Sequence, residues 1–150
     1  MRYVHWVAAF CLVWMAGQVD AIAAERIGQV KVASGTVTIV RDGQVIGVEA
    51  GSELYEKDLI ETGPDSAVGM TFSDNSRMSL GPESSLTLES YSYQAGGKQD
   101  GFNARLRAGS LTAASGNIAK SRPLAMKVLM PSTVLGVKGT EFAVRVSGDN

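Results

Sequence analysis

The sequence predicts an all-β protein of many short strands behind a helical export signal. Three observations predict the class. Val68, Met70 and Phe72 alternate with Gly69 and Thr71, the period-2 signature of a half-buried strand, and similar alternations recur along the chain. Turn residues punctuate it throughout: the 17 glycines are spread along the chain, as frequent turns require. No segment longer than a few residues carries the i, i+3, i+4, i+7 stripe of an amphipathic helix. The spacing predicts roughly ten to thirteen strands, in a two-sheet sandwich or an irregular β-roll.

Residues 1–23 read as a signal peptide. Arg2 supplies the positive start, residues 4–16 are mostly apolar, and Ala21-Ile22-Ala23 places small residues at a cleavage site. Cleavage is expected after Ala23, or after Ala24. The apolar run falls short of the roughly 20 residues a membrane span needs. Phe10 is too bulky before Cys11 for a lipoprotein signal. The expected location is the periplasm or the medium.

Residues 24–150 then suit one domain, long enough to bury a core without disulfides. They hold no His, Cys or Trp, since every copy lies in residues 1–23. Losing Arg2 and Asp20 leaves 13 basic and 14 acidic side chains of the original 14 and 15, so the net charge stays −1. A near-neutral surface gives no electrostatic case for nucleic acid or anionic lipid.

In order, Val30 and Val32 are expected on one face of the first strand, and Val37 and Ile39 on the next apolar face. Arg41-Asp42-Gly43-Gln44 between β-branched runs predicts a tight hairpin. Ala50-Gly51-Ser52 turns the chain toward Leu54. Residues 58–88 organise the rest. Thr62-Gly63-Pro64-Asp65 stops one strand, Asp74-Asn75-Ser76 reverses the next, and Gly81-Pro82 ends the strand of Met78 and Leu80, because Pro cannot donate to a ladder. Leu86 and Leu88 resume the alternation. Tyr91 and Tyr93 share a strand face, and residues 94–101 form a polar loop with Gly96-Gly97. Phe102, Ala104 and Leu106 alternate again, Gly109 precedes a separate short strand at residues 110–114, and a polar connection ends at Pro123. Leu124, Met126, Val128 and Met130 form a further strand. Val134 to Val137 and Phe142, Val144 and Val146 complete the set. The predicted core is Val37, Ile39, Leu54, Ile60, Val68, Met70, Phe72, Leu80, Leu86, Phe142 and Val144. Ala50-Gly51-Ser52 and Ala108-Gly109-Ser110 hint at an internal duplication.

Residues 58–88 resemble the FecR-like domain, on Asp58-Leu59-Ile60, Thr62-Gly63, Ser66-Ala67, Phe72 with Asp74 and Ser76, and Leu80, Pro82 and Ser84. A second block matches at Pro131 and at Gly136-Val137-Lys138-Gly139-Thr140-Glu141-Phe142, and a third at Gly28, Val30, Val37 and Arg41-Asp42-Gly43. Lys138 stands where the family more often has Arg, so that turn carries a point charge and not a planar fork. The resemblance implies an envelope-exported, non-enzymatic domain that takes part in signalling. The family's best-known members also carry a cytoplasmic anti-sigma segment and a membrane helix, which this chain is expected to lack.

The residues themselves offer little chemistry. Without His or Cys, neither a Ser–His nor a Cys–His nucleophile can be built, and zinc, copper and haem lose their usual ligands. No cofactor or metal is expected. Asp58 with Glu61, or Asp65 with Asp74, could pair as carboxylates, and Asp65, Asp74 and Asn75 could offer oxygens to calcium. Turn carboxylates more often bond the backbone, and no spaced Asp ladder is present. Gly136 to Thr140 reads as a tight turn or as a recognition turn presenting Lys138. Tyr91 and Tyr93 read as cross-strand stabilisers or as a stacking surface. The expected mode of action is contact with an envelope protein through a free sheet edge or through the loop region of Tyr91, Tyr93, Gln94, Gly96, Gly97, Lys98 and Phe102. A glycan- or cell-wall-binding module is the alternative.

Overall fold

The computed structural model describes residues 23–147, apart from Gly96 and Thr140. The expected signal peptide, all but its last residue, lies outside the described residues. Twelve strands form one continuous sheet that curls into two limbs. The first limb runs in the order β4 (Glu53–Tyr55), β1 (Arg26–Ser34), β6 (Ala67–Phe72) and β7 (Arg77–Leu80). The second runs β3 (Gln44–Gly47), β2 (Val37–Arg41), β5 (Leu59–Thr62) and β8 (Ser85–Ser92). The limbs share β9 (Gly101–Ala114), whose first half pairs with β8 and whose second half pairs with β7. Beyond β9 the second limb adds β10 (Met126–Met130), in parallel, and then β11 (Thr133–Val137); the first limb adds β12 (Glu141–Val146).

The two expected strands around Gly109 are thus one strand of 14 residues. Gly109 does not end it but bends it from one limb into the other, at φ 86°. A side chain there would collide with Ser84, whose Oγ lies 2.1 Å from the position of a Cβ. Gly35 does the same between β1 and β2, with φ 73° and Ser66 Oγ at 2.4 Å.

The two bends share one clasp geometry, although the clasp turn follows its bend in the chain at Gly35 and precedes it at Gly109. Ser66 Oγ accepts from the Thr36 amide at 2.9 Å, and Ser84 Oγ accepts from the Ser110 amide at 3.0 Å. Gly63 N donates to Thr36 O, and Gly81 N to Ser110 O. Asp65 and Glu83 hold φ of 52° and 51° at matching turn positions. Ser34 pairs with Ala67 as Ala108 pairs with Ser85, and Val37 with Thr62 as Leu111 with Leu80. The clasp turns are Gly63-Pro64-Asp65-Ser66 and Gly81-Pro82-Glu83-Ser84, each fastened to a Gly35-Thr36 or Gly109-Ser110 bend. Ala50-Gly51-Ser52 is not the counterpart of Ala108-Gly109-Ser110; it leads into edge strand β4.

The core lies between the limbs. Phe72 of the first packs at 4.8 Å between ring centroids on Phe102 of the second, with the Tyr91 ring 5.0 Å from Phe102. Nine of the expected core residues are buried; Phe142 and Val144 are only half-buried. They sit on β12, which has a neighbour on one side alone, so less of the opposite limb covers them. Val30 is buried, but Val32 is 61 % exposed. A register shift between them in the pairing with β6 moves them to opposite faces, as a bulge does. Leu124 is exposed, at φ 66° before β10. One short helix, α1 (Asn117–Ser121), replaces part of the expected polar connection and seals the core with Ile118 and Ala119. Five residues are too few to show helical periodicity in sequence. The hairpin at Asp42-Gly43 is present, with Arg41 paired to Gln44.

Candidate functional site

The polar motif residues from Asp58 to Ser84 do not gather into a cleft; they fasten turns from inside. Asp58 is fully buried and receives the Arg41 guanidinium in a two-pronged bond, from Nε at 2.8 Å and Nη2 at 2.7 Å. The Tyr55 amide adds a third bond at 2.9 Å. The Arg41 guanidinium lies 4.5 Å from the Tyr55 ring centroid, and its hydrogen bonds to Asp58 raise its pKa above the ordinary value. This clamp ties the β2–β3 hairpin to the entry of β5. Ile60 faces the core beside it.

Thr62 and Ser84 work as a pair. Thr62 Oγ1 donates to Gly81 O at 2.7 Å and accepts from the Ser84 amide at 2.9 Å. Ser66 and Ser84 clasp the two bends described above, and Gly63 and Pro82 shape their turns. Asp74 is a second buried hub. Its carboxylate accepts from the Ser76 hydroxyl at 2.6 Å, the Ser76 amide at 3.2 Å, the Tyr91 hydroxyl at 3.1 Å and the Ile118 amide at 3.3 Å. Burial, reinforced by the Asp74 charge, pushes the Tyr91 hydroxyl well above the usual tyrosine pKa, so it stays a proton donor. Phe72 and Leu80 are core residues.

The paired-carboxylate and calcium arrangements do not form. Glu61 is exposed on β5 while Asp58 is buried on Arg41. Asp65 and Asp74 flank opposite ends of β6, too far apart to share an ion. Of the C-terminal motif, Val137 is buried, Gly136, Lys138 and Gly139 are exposed, and Phe142 is half-buried on β12. Gly139 holds φ 66°, so the turn reading of this motif has its backbone basis. Thr140 lies outside the described residues.

The expected contact surface divides. Phe102 is fully buried and belongs to the core, as the register partner of Tyr91. The β8 face that carries Tyr91 turns inward there, which no local pattern reveals. Tyr91 is therefore a cross-strand stabiliser. Tyr93 is half-buried, and its hydroxyl accepts from Asn117 Nδ2 at 3.1 Å. The loop is organised from within by the buried Asp100, which accepts from the Gln94 amide at 2.8 Å, and by the Gly97 amide donating to Gln94 O at 2.6 Å. Lys98 is exposed at its tip. Gly96 lies outside the described residues.

Tyr93 and Gln94 do line a cavity of about 320 Å³, together with Glu25, Arg26, Glu56, Ser73 and Tyr91. Sequence reasoning missed Glu25, Glu56 and Ser73, which come from three separate segments. Glu56 Oε2 accepts from the Tyr91 amide at 3.1 Å. The lining combines the Glu25 and Glu56 carboxylates, the Arg26 guanidinium, the Ser73 hydroxyl and two tyrosine rings. Asp100 and Asn117 were also missed, and only the fold brings them to the loop.

A family model described as "FecR protein" matches residues 58–150. No curated protein and no solved structure matches the chain.

Proposed function

The chain belongs to the FecR family, and from that premise we propose that it is a non-enzymatic module of the cell envelope, working in signal sensing or scaffolding by contact with another envelope protein. The family suggests the envelope signalling context. The expected signal peptide at residues 1–23 supports a periplasmic or secreted location. No helix among the described residues is long and apolar enough to cross a membrane.

The observation that carries the reading is the direction of the motif side chains. Asp58, Thr62, Ser66, Asp74, Ser76 and Ser84 all turn inward and spend their polar atoms on the fold's own turns. They specify a scaffold and leave chemistry to the surface. The surface offers the cavity beside Tyr93 and the loop tip at Lys98, both suited to contact.

A photo-crosslinking residue at Lys98 or at Gln94, used in cells, tests this. The expected result is a discrete adduct with one envelope protein, absent from a label placed at Glu61. Adduct formation with no protein, together with sedimentation on purified cell wall, replaces this reading with glycan binding. Intact mass of the exported protein tests the location: it should begin at Ala24 or Glu25, and a mass retaining Trp6 and Trp14 contradicts it.

A further inference from the structure

We propose that the protein associates head to tail with copies of itself, the free edge of β3 in one copy pairing antiparallel with the free edge of β11 in the next. Among the described residues the curled sheet has four free edges: β4 and β12 on the first limb, β3 and β11 on the second. Exposed edges invite foreign strands, and proteins protect them with charge or by keeping them short. The first limb does so. β4 has three residues, with Glu53 ion-paired to Arg26, and β12 carries exposed Glu141 and Arg145. The second limb does not. Gln-Val-Ile-Gly in β3 and Thr-Val-Leu-Gly-Val in β11 contain no charge.

Strand direction makes these two edges complementary. From β3 to β9 every neighbour is antiparallel, β9 to β10 is parallel, and β10 to β11 is antiparallel again. The single parallel step leaves β3 and β11 pointing in opposite directions. A copy added by continuing the sheet therefore meets β3 with an antiparallel β11, the more stable ladder, without being turned over.

Side chains on the outward face agree. Val45 of β3 registers with Val40, and Val40 with Leu59; at the other end Leu129 registers with Val134 of β11. Val45 is 70 % exposed and Val134 58 %. Pairing the edges brings these two valines together on one face and joins the apolar ends of the row. A net charge of −1 puts no long-range repulsion between copies. Because the two surfaces differ, the contact is heterologous, and chains of copies grow rather than closing as a dimer.

Sedimentation velocity over a concentration series of the purified protein tests this. The average mass should climb past that of a dimer as concentration rises. Val45→Lys alone and Val134→Lys alone should each give monomers, with melting curves like the parent because both sites are exposed. An equimolar mixture of the two variants should give a heterodimer that grows no further, since it retains one intact β3 and one intact β11. A parent that stays monomeric overturns the proposal. So does association that persists in either single variant, or a mixture that yields no heterodimer.

Discussion

The Asp74 carboxylate serves four donors in a site from which water is excluded. Asp74→Ala leaves them unmet, and each unmet buried donor costs about 1–3 kcal/mol. The expected loss is at least roughly 3 kcal/mol, read as a lower urea midpoint. Tyr91 adds a pH dependence. In the unfolded chain it ionises near the ordinary tyrosine value of 10.0, whereas in the fold it keeps its proton. The folded state thus binds the extra proton, and stability falls as pH rises above that value. Tyr91→Phe should lower stability at neutral pH by about 1–3 kcal/mol and flatten the alkaline decline. Urea midpoints at about pH 8 and about pH 11 check both, and an unchanged alkaline slope contradicts the assignment. Phe72→Ala should cost roughly 3–5 kcal/mol, since its ring is buried against Phe102 and Tyr91.

Among the elements, the bent strand β9 decides how the limbs meet. Gly109→Ala places a Cβ 2.1 Å from Ser84 Oγ and 2.4 Å from Ser84 Cα, at a φ that L residues rarely adopt. The backbone atom cannot yield as a side chain could. Gly109→Ala should abolish the folded far-UV spectrum or lower the melting temperature severely. Gly43→Ala is the control: its φ is 76°, but nothing lies within 4 Å, so its cost should stay near about 1 kcal/mol. Similar losses at the two positions would contradict the role given to the bend. Ser66→Ala and Ser84→Ala should cost similar amounts, because the two serines fill equivalent clasps.

For the molecule as a whole, β9 pairs with strands of both limbs and should couple them into one cooperative unit. Neither limb can lose its strands without stripping β9 of partners that the other needs. Residues 24–150 lack Trp, so single reporters at exposed Val32 on the first limb and exposed Glu61 on the second are unambiguous in a chain expressed from residue 24. Their denaturation midpoints should coincide, as in a two-state transition. Separate midpoints would show that the limbs unfold independently.

Period-2 alternation and turn chemistry were enough, without the structure, to place the all-β class, the Asp42-Gly43 hairpin, and the core positions from Val37 to Leu86. Both signals are local: side chains alternate within one strand, and Asp, Asn, Gly and Pro act on their own few bonds. The family was legible too, from Asp58 to Phe142, because its motif residues lie in short blocks that are read directly along the chain. Contacts between distant segments were not legible. Gly109 reads as a strand end until Ser84 is seen beneath it, and Val32 reads as sharing the face of Val30 until the bulge beside β6 turns it outward. Phe102 reads as surface until Phe72 covers it from the other limb. The Asp58–Arg41 clamp, the Asp74 hub and the opposed directions of β3 and β11 arise from pairing across the sheet, and only the tertiary structure sets which strands become neighbours.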